Sequence, residues 1–493
     1  MKTPHLILGG PGCGKTTRLL ELVEDALARG VPPDRIAYLT FTREAAREGR
    51  DRAAERFKLD PKNDLPWFRT IHSLAYARLG LTREEILSKR DYREFSDLVG
   101  EPMAMATPDP DDPMPFTIGP RGDRMLRIVD LAATQLRGLP EVWHDSDEAV
   151  PWHDLKRFDD AYAKYKAAVG KLDFTDLLLV YAREGQPLPV TEAFLDEGQD
   201  CTAAQWAVVK RAFATADRVV IAGDDDQAIY EWAGADEAYF LGLSAAPEVI
   251  PVTHRLPKSV HLVGQSIASR IGHRYAKRFV PTEKTGTVEH HQVPEGVPLT
   301  ELPGSWLMLA RNTFQLRALV AIARNLGLNY STRSGPAVNA EEVVAMRIWV
   351  RSQRADPPPL TADEVRTLYK YMGRQLPQLR ETRPYPVNEL QLPKLGWQWA
   401  LPEIPAGRAE YYSALIARGV KLSEPPNVRI ETIHGVKGAE ADHVMLLTDM
   451  SPRTKRAFDL NPDPEHRVFY VGVTRARQTL HLVSPQTDIS YPI

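Results

Sequence analysis

Four residues near the start of the chain have types and a spacing that suit phosphate chemistry. Gly9-x-x-x-x-Gly14-Lys15-Thr16 follows the apolar run Leu6-Ile7-Leu8 and opens an amphipathic helical pattern, which is the context expected of a phosphate-binding loop. Backbone N–H groups of such a turn point at phosphate oxygens, and the N-terminus of the next helix adds positive potential. Lys15 would reach the β and γ oxygens, and Thr16 would offer its hydroxyl to Mg²⁺. The residues of this segment predicted to bind nucleotide are Gly9, Gly10, Pro11, Gly12, Cys13, Gly14, Lys15, Thr16 and Thr17.

Two adjacent carboxylates, Asp196 and Glu197, follow the apolar run Ala193-Phe194-Leu195. In such a pair one acid can hold Mg²⁺ while its neighbour orients or deprotonates the attacking water. We assign Asp196 to the metal, together with Thr16, and Glu197 to the water. An Asp-Glu pair alone is usually just solvated, so the prediction depends on its combination with the glycine-rich segment.

A further apolar run, residues 219–222, leads into Gly223 and Asp224, and Gln227 lies just beyond. An amide at this position could contact both the γ-phosphate and the water. Residues 224–226 could equally form a solvated acidic turn, so this segment by itself decides little.

The elements that must position these residues alternate strand, helix and strand, which predicts an α/β fold with a parallel sheet and a ligand beyond the carboxyl ends of its strands. Strand patterns return at residues 306–310 and 444–447, which predicts a second α/β core. Strand signals fade in two stretches, which we interpret as mostly helical insertions. The predicted domains are a first core of residues 1–80 and 171–252, an insertion of 81–170, a second core of 253–335 and 427–493, and a reduced insertion of 336–426.

Composition excludes several classes of protein. With 43% hydrophobic and 26% charged residues among 493, wholesale disorder is disfavoured. A net charge of −3 means that any nucleic-acid surface must be local. The apolar runs are too short to cross a bilayer, so we expect no membrane contact. Cys13 and Cys201 are the only cysteines, which rules out a disulfide framework and a multi-cysteine zinc site.

The order of the motifs resembles that of the UvrD/Rep/PcrA-like helicases of superfamily 1A, and the similarity touches nearly the whole length. The matching segments are residues 9–17 (motif I), 39–46 (Ia), 70–73 (Ib), 173–178, 196–200 (II), 223–235 (III), 253–255 (IV), 309–312 (IVa), 431–440 (V) and 468–477 (VI).

This resemblance implies two RecA-like P-loop cores, with ATP in the cleft between them and single-stranded DNA crossing both. It implies that Arg255 and Arg475 reach the γ-phosphate from the second core, and that His254 and Glu440 contact the adenine and the ribose. The residues matched to nucleic-acid contacts are Thr42, His72, Tyr230, Trp232, Thr432 and His434. His72 and His434 could instead be ordinary loop histidines.

Several positions depart from the family. The chain begins eight residues before the glycine-rich segment, so the upstream glutamine that reads adenine is missing and we expect relaxed purine selectivity. His254 stands where the family commonly has tyrosine, and Glu231 and Ala233 replace arginine-rich flanks around Trp232. The second insertion is shorter than usual, so we expect reduced regulation or duplex contact through it.

The resulting prediction is an ATP- and Mg²⁺-dependent single-stranded DNA translocase and DNA helicase, with the 3′ to 5′ polarity that the resemblance implies. Its expected partners are single-stranded DNA and duplex/single-strand junctions, and we expect it to act as a monomer in the cytoplasm of a bacterial or phage-infected cell. DNA repair and DNA replication are candidate pathways between which the sequence does not decide. A loading protein cannot be named from the sequence. Two alternatives stay open: a DNA-stimulated ATPase that displaces proteins from single strands, and a nucleotide-regulated nucleic-acid binding module.

Overall fold

The computed structural model describes residues 1–41, 43–104, 119–146, 148–244 and 246–493. These residues divide into two compact units, the first Met1–Gly286 with Arg456–Thr474 and the second Thr287–Lys455 with Arg475–Ile493. Among them, no helix combines the length and the apolar character that a membrane span requires.

In the first unit, six described strands form a sheet in which every pair is parallel. The strands are β1 (His5–Gly9), β2 (Ile36–Thr40), β3 (Phe68–Thr70), β4 (Glu192–Leu195), β5 (Arg218–Gly223) and β6 (Glu248–Ile250). Their spatial order is β3-β2-β4-β5-β1-β6. Since β4, β5 and β1 are neighbours, their carboxyl ends meet at one edge, which brings Gly9, Asp196 and Asp224 together.

Helices connect the strands of this unit, and several of them cover its sheet, as a parallel sheet requires. They are α1 (Lys15–Ala28), α2 (Arg43–Phe57), α3 (Ile71–Leu79), α4 (Lys89–Val99), α5 (Arg121–Thr134), α6 (Leu139–Asp145), α7 (Trp152–Val169), α8 (Phe174–Glu184), α9 (Ala203–Ala212), α10 (Glu237–Leu241) and α11 (Lys258–Ala268). Helices α4 to α7 fall in the predicted insertion and pack around a hydrophobic core of their own, which includes Phe95, Met125 and Phe158.

The second unit contains a seven-stranded sheet among the described residues. Its strands are β7 (Thr287–His291), β8 (Trp306–Ala310), β9 (Tyr330–Thr332), β10 (Gly335–Pro336), β11 (Val428–Thr432), β12 (Ala441–Leu447) and β13 (Ala476–Val483). They follow the order β10-β9-β11-β8-β12-β13-β7. Strands β9 and β10 pair antiparallel, and the remaining pairs are parallel.

Further helices accompany this sheet. They are α12 (Leu316–Asn325), α13 (Ala340–Ser352), α14 (Ala362–Tyr371), α15 (Trp397–Ala400) and α16 (Ala406–Ala417). Helix α17 (Pro452–Leu460) begins in this unit and ends in the segment assigned to the first unit. Helices α13 to α16 fall in the second predicted insertion, and they share one continuous core with the sheet, in which Trp349 and Tyr412 join Trp306.

Asp442, on β12, links three segments of the second unit. Its carboxylate accepts hydrogen bonds from the backbone N–H of Ser305 at 2.9 Å and the Ser305 hydroxyl at 2.8 Å, from Arg477 at 3.1 Å and from Gln478 at 2.9 Å. Burial alone would raise the pKa of Asp442, but these donors outweigh it and lower the pKa to about 2. The ionised carboxylate therefore stabilises the start of β8 against β12 and β13.

The prediction of an α/β chain with two largely parallel sheets is confirmed, and residues 36–40 and 306–310 are strands with the expected bounds. The compact units depart from the predicted domain boundaries in two places. Residues 253–286 and 456–474, predicted to belong to the second core, lie in the first unit, and the latter segment contains the end of α17 and helix α18 (Asp463–Val473). Both segments contact the loops at the carboxyl edge of the first sheet, as described next.

Candidate nucleotide site

The glycine-rich segment turns sharply between β1 and α1. Gly14 adopts the left-handed region at φ 79° and caps α1, so the first residue of the helix is Lys15. The Lys15 side chain is buried, and its ammonium donates to the Gly9 carbonyl at 3.0 Å. Burial opposes its charge, but Glu197, Asp224 and nearby acids raise the pKa of Lys15. The ammonium is therefore held charged inside the loop, as phosphate binding requires.

Asp196 lies directly after β4 and meets α1. Its Oδ2 accepts hydrogen bonds from the Thr16 hydroxyl at 2.7 Å and from the Tyr38 hydroxyl at 2.8 Å. Burial, followed by the neighbouring Glu197, raises the pKa of Asp196, against the opposing effects of these hydroxyls and of Lys15. The Asp196 carboxylate and the Thr16 hydroxyl offer the oxygen ligands that Mg²⁺ prefers. Thr16 and Asp196 fit the predicted metal role, and Tyr38 is a partner that the sequence did not indicate.

Glu197 has an unusual backbone conformation for a residue other than glycine, with φ 55° and ψ 40°. Such conformations cost about 1 to 3 kcal/mol and concentrate at functional sites. Its carboxylate accepts a hydrogen bond from Gln199 Nε2 at 2.6 Å, while Gln199 Oε1 accepts one from the Asp224 N–H at 2.9 Å. Gln199 is fully buried. It therefore fixes Glu197 and links the loops that follow β4 and β5.

Gln227 lies in the turn after β5. It is buried, and its Nε2 donates to Asp224 Oδ2 at 2.6 Å. The acidic residues of this turn, Asp224, Asp225 and Asp226, are all fully buried. The alternative of a solvated acidic turn is therefore wrong.

Basic side chains from residues 253–286 form ion pairs with this acidic turn. The Lys277 ammonium lies 3.2 Å from Asp224 and 2.9 Å from Asp226 and also pairs with Asp225, and the side chains of all four residues are inaccessible to solvent. Arg274 donates two hydrogen bonds to Asp226, at 2.6 and 2.5 Å. Burial opposes the Lys277 charge, but the three carboxylates raise its pKa above the ordinary value. Sequence reasoning missed both Arg274 and Lys277.

Arg467, on α18, binds the same region. It donates to the Asp225 carbonyl at 3.1 Å, to the Glu237 carboxylate at 2.6 Å and to the His273 carbonyl at 2.6 Å. The side chain is almost fully buried. This arginine immediately precedes the segment matched to motif VI, so the motif comparison passed over it.

Residues 253–255 are hydrogen-bonded directly to the glycine-rich loop. The Thr253 hydroxyl donates to the Pro11 carbonyl at 2.6 Å, and the His254 N–H donates to the Gly12 carbonyl at 2.9 Å. A Cβ at Gly12 would lie 2.4 Å from the Arg255 Cβ, so only glycine permits this approach. Arg255, which the resemblance assigned to the second core, therefore lies beside the phosphate loop within the first unit, and the His254 ring is exposed.

The second unit holds the other residues matched to nucleotide or DNA. Arg475 is buried and donates to the Ala439 carbonyl at 3.3 Å, while the exposed Glu440 pairs with Arg477 at 3.4 Å. Thr432 and His434 are buried at the end of β11, where the Thr432 hydroxyl accepts a hydrogen bond from the Gly435 N–H at 3.2 Å.

The remaining nucleic-acid candidates belong to the first unit. Thr42 lies outside the described residues, and His72 is buried in the first turn of α3. Tyr230 is buried and stacks on Phe41, with ring centroids 5.4 Å apart. Trp232 meets Tyr230 edge to face at 6.3 Å and is only partly buried. Of this aromatic pair, Trp232 is thus the one with an accessible ring surface.

Two family models match the chain. The UvrD/REP helicase N-terminal domain matches residues 1–247, and the UvrD-like helicase C-terminal domain matches residues 414–487. These matches confirm the resemblance drawn from the motifs.

Curated relatives agree with the family models. The ATP-dependent DNA helicase PcrA of Bacillus subtilis is 29% identical over 248 residues, which cover 47% of this chain and 32% of the relative. The ATP-dependent DNA helicase UvrD2 of Mycobacterium tuberculosis is 24% identical over an alignment covering 97% of this chain and 76% of the relative. The chain thus spans about a third of the PcrA protein. Among solved structures, an arterivirus nonstructural protein 10 helicase with DNA aligns over 98% of this chain and 62% of its own, at 12% identity and a TM-score of 0.34.

Proposed function

The chain belongs to the UvrD/REP helicase family, and from that premise we propose that it is an ATP- and Mg²⁺-dependent single-stranded DNA translocase and DNA helicase. The observation that carries the proposal is the convergence of Lys15, Asp196, Glu197 and Gln227 at one edge of the first sheet, through the hydrogen bonds of Gln199 and Asp224. A module that only bound nucleotide would not need Glu197, whose backbone is strained and whose carboxylate is held by Gln199. Hydrolysis is therefore favoured over simple binding.

Each side chain has a distinct proposed role. Lys15 holds the β and γ oxygens, and Glu197, fixed by Gln199, orients the attacking water and accepts its proton. Gln227 contacts the same water and the γ-phosphate. Thr16 and Asp196 would hold Mg²⁺, which when bound neutralises charge on the phosphates.

Two arginines complete the proposed catalytic set. Arg255 lies against Gly12, which puts its side chain within reach of a phosphate bound by the loop. Arg475 lies in the second unit, and its role toward the γ-phosphate is proposed from the family match. An arginine in this role is worth about 10³ to 10⁵ in rate.

Coupling to DNA is proposed to run through the loop after β5. Trp232 is five residues beyond Gln227, so one short segment contacts the nucleotide through its amide and a base through its indole. Stacking of a base on an aromatic side chain contributes about 1 to 3 kcal/mol and tolerates any sequence. We expect Trp232, rather than the buried Tyr230, to make the larger contribution.

The decisive measurement is steady-state ATP hydrolysis with and without single-stranded DNA. We expect strong stimulation by DNA, and turnover that is indifferent to DNA would refute the motor. A strand-displacement assay on duplexes with a 3′ or a 5′ single-stranded tail then tests helicase activity and the proposed 3′ to 5′ polarity. Removal of a bound protein without strand separation would favour the protein-displacing ATPase instead.

A further inference from the structure

Two histidines and a glutamate form a cluster in the second unit that has no part in the proposed nucleotide or DNA sites. Glu289 and His291 lie on β7, and His481 lies on the neighbouring strand β13. In the parallel register His481 is paired with Glu289. Because alternate residues of a strand project to the same face, the pairing brings all three side chains to one face at the edge of the described sheet.

The three ligand atoms converge on one another. His291 Nε2 lies 3.0 Å from His481 Nδ1 and 3.4 Å from Glu289 Oε2, and His481 Nδ1 lies 3.2 Å from the same Glu289 oxygen. Each atom therefore contacts both of the others.

Hydrogen bonds cannot account for all three contacts at once. Each ring nitrogen carries at most one proton, and that proton can point at only one acceptor. If both nitrogens donate to the carboxylate, no hydrogen bond joins the nitrogens. If one nitrogen donates to the other, the donor's proton is used and the acceptor carries none, so neither nitrogen can donate to the carboxylate. A cation located between the three atoms would satisfy every contact together.

We propose that Glu289, His291 and His481 bind one divalent transition metal ion of the zinc type, with water as the fourth ligand. Zinc accepts imidazole nitrogen and carboxylate oxygen at about 2.0 to 2.2 Å, so the ligand atoms of a tetrahedral site lie about 3.3 Å apart. The three separations in this cluster match one face of such a tetrahedron.

The surroundings suit a preformed site. His481 is fully buried and stacks on Trp306, with ring centroids 5.1 Å apart, so its ring orientation is fixed before any ion arrives. The Glu289 side chain is 42% exposed, which leaves a route for the ion and room for the water.

The ion would stabilise the pairing of edge strand β7 with β13. Strand β7 begins at Thr287, where the second unit starts, and it pairs with β13. A metal ligated from both strands would cross-link β7 to the sheet. We therefore expect the ion to stabilise the fold of the second unit rather than to take part in nucleotide chemistry.

The test uses the full chain, stripped with a chelator and titrated in the absence of nucleotide with Zn²⁺ or with Co²⁺ as a spectroscopic substitute. We expect one equivalent of Zn²⁺ to bind and the melting temperature to rise with the logarithm of free Zn²⁺. Co²⁺ should give the intense visible absorption of a tetrahedral site.

The variants His291→Ala and Glu289→Gln should each weaken Zn²⁺ binding by more than about 100-fold, since losing an outer-shell partner alone costs about 10- to 100-fold. His290→Ala is the matched control, because His290 is exposed on the same strand and projects to the opposite face. Its affinity for Zn²⁺ should equal that of the unaltered chain. The absence of stoichiometric binding, or equal binding by Glu289→Gln and the control, would overturn the proposal even if His291→Ala failed to fold.

Discussion

Replacing Lys277 with methionine tests how the acidic turn of the nucleotide site is held together. The Lys277 ammonium contacts three aspartates, and none of these side chains is accessible to solvent. Methionine keeps most of the aliphatic volume, so the substitution removes charge without opening a large cavity. The expected loss is therefore mainly electrostatic.

The magnitude follows from what remains around each carboxylate. Asp226 keeps its two hydrogen bonds from Arg274, and Asp225 keeps the N–H of Tyr275 at 2.7 Å. Asp224 keeps the Gln227 amide but loses its ion pair. Removing one partner of a buried ion pair typically costs about 3 to 5 kcal/mol. For a unit of this size we expect the melting temperature of the first unit to fall by about 5 to 8 °C.

Thermal and urea unfolding at pH 7, followed by circular dichroism, measures this loss. Arg278→Met is the matched control, because Arg278 is the adjacent residue and is exposed, and it should change the free energy of unfolding by less than about 0.5 kcal/mol. The double variant Lys277→Met with Asp225→Asn should recover about 1 to 3 kcal/mol, because one uncompensated charge is removed. A loss under about 1 kcal/mol in Lys277→Met, or a double variant no more stable than the single one, would refute this account of the turn.

Further variants test the site and the second unit. Glu197→Gln should bind ATP but lose ATP turnover, whereas Lys15→Ala should weaken both ATP binding and turnover. A nucleotide-binding assay and a phosphate-release assay measure the two effects separately. Normal turnover in either variant would contradict the roles assigned to these residues. Gln199→Leu should slow turnover by about 100-fold while ATP affinity is kept, because Glu197 loses its hydrogen bond; an unchanged rate would remove Gln199 from the positioning role. Asp442→Asn should lower the free energy of unfolding at pH 7 by about 2 kcal/mol, given a pKa near 2 against 3.8. Since the folded-state pKa is depressed, this contribution is present above pH 3.8 and disappears as the pH falls toward 2. The free energies of unfolding of Asp442→Asn and the unaltered chain should therefore converge in acid. A difference that stays constant with pH would show that the carboxylate charge is not the cause.

The predictable part of the fold follows from burial. A central strand of a parallel sheet is covered on both faces and must be apolar along its length, which is why residues 36–40 and 306–310 stand out in the sequence. Strand β7, Thr-Val-Glu-His-His, lies at an edge of the described sheet and is half exposed. Because four of its five residues are polar, the strand lacks the apolar run that predicts a buried strand. Neither the strand nor its candidate metal ligands could therefore be recognised before the pairing with β13 was known.

The candidate site divides in the same way. Residues that belong to a local motif can be found from the sequence. The glycines at positions 9 and 14 identify Lys15, and the apolar run before Asp196 identifies Glu197. Lys277 acts from 51 or more residues away in sequence, and it resembles any of the 62 basic residues until the tertiary fold buries it. One signal did exist: three consecutive aspartates directly after a buried strand cannot be desolvated together without cations. That argument requires basic partners for the turn after β5, and only the packing of residues 253–286 onto the first sheet identifies Arg274 and Lys277 as those partners.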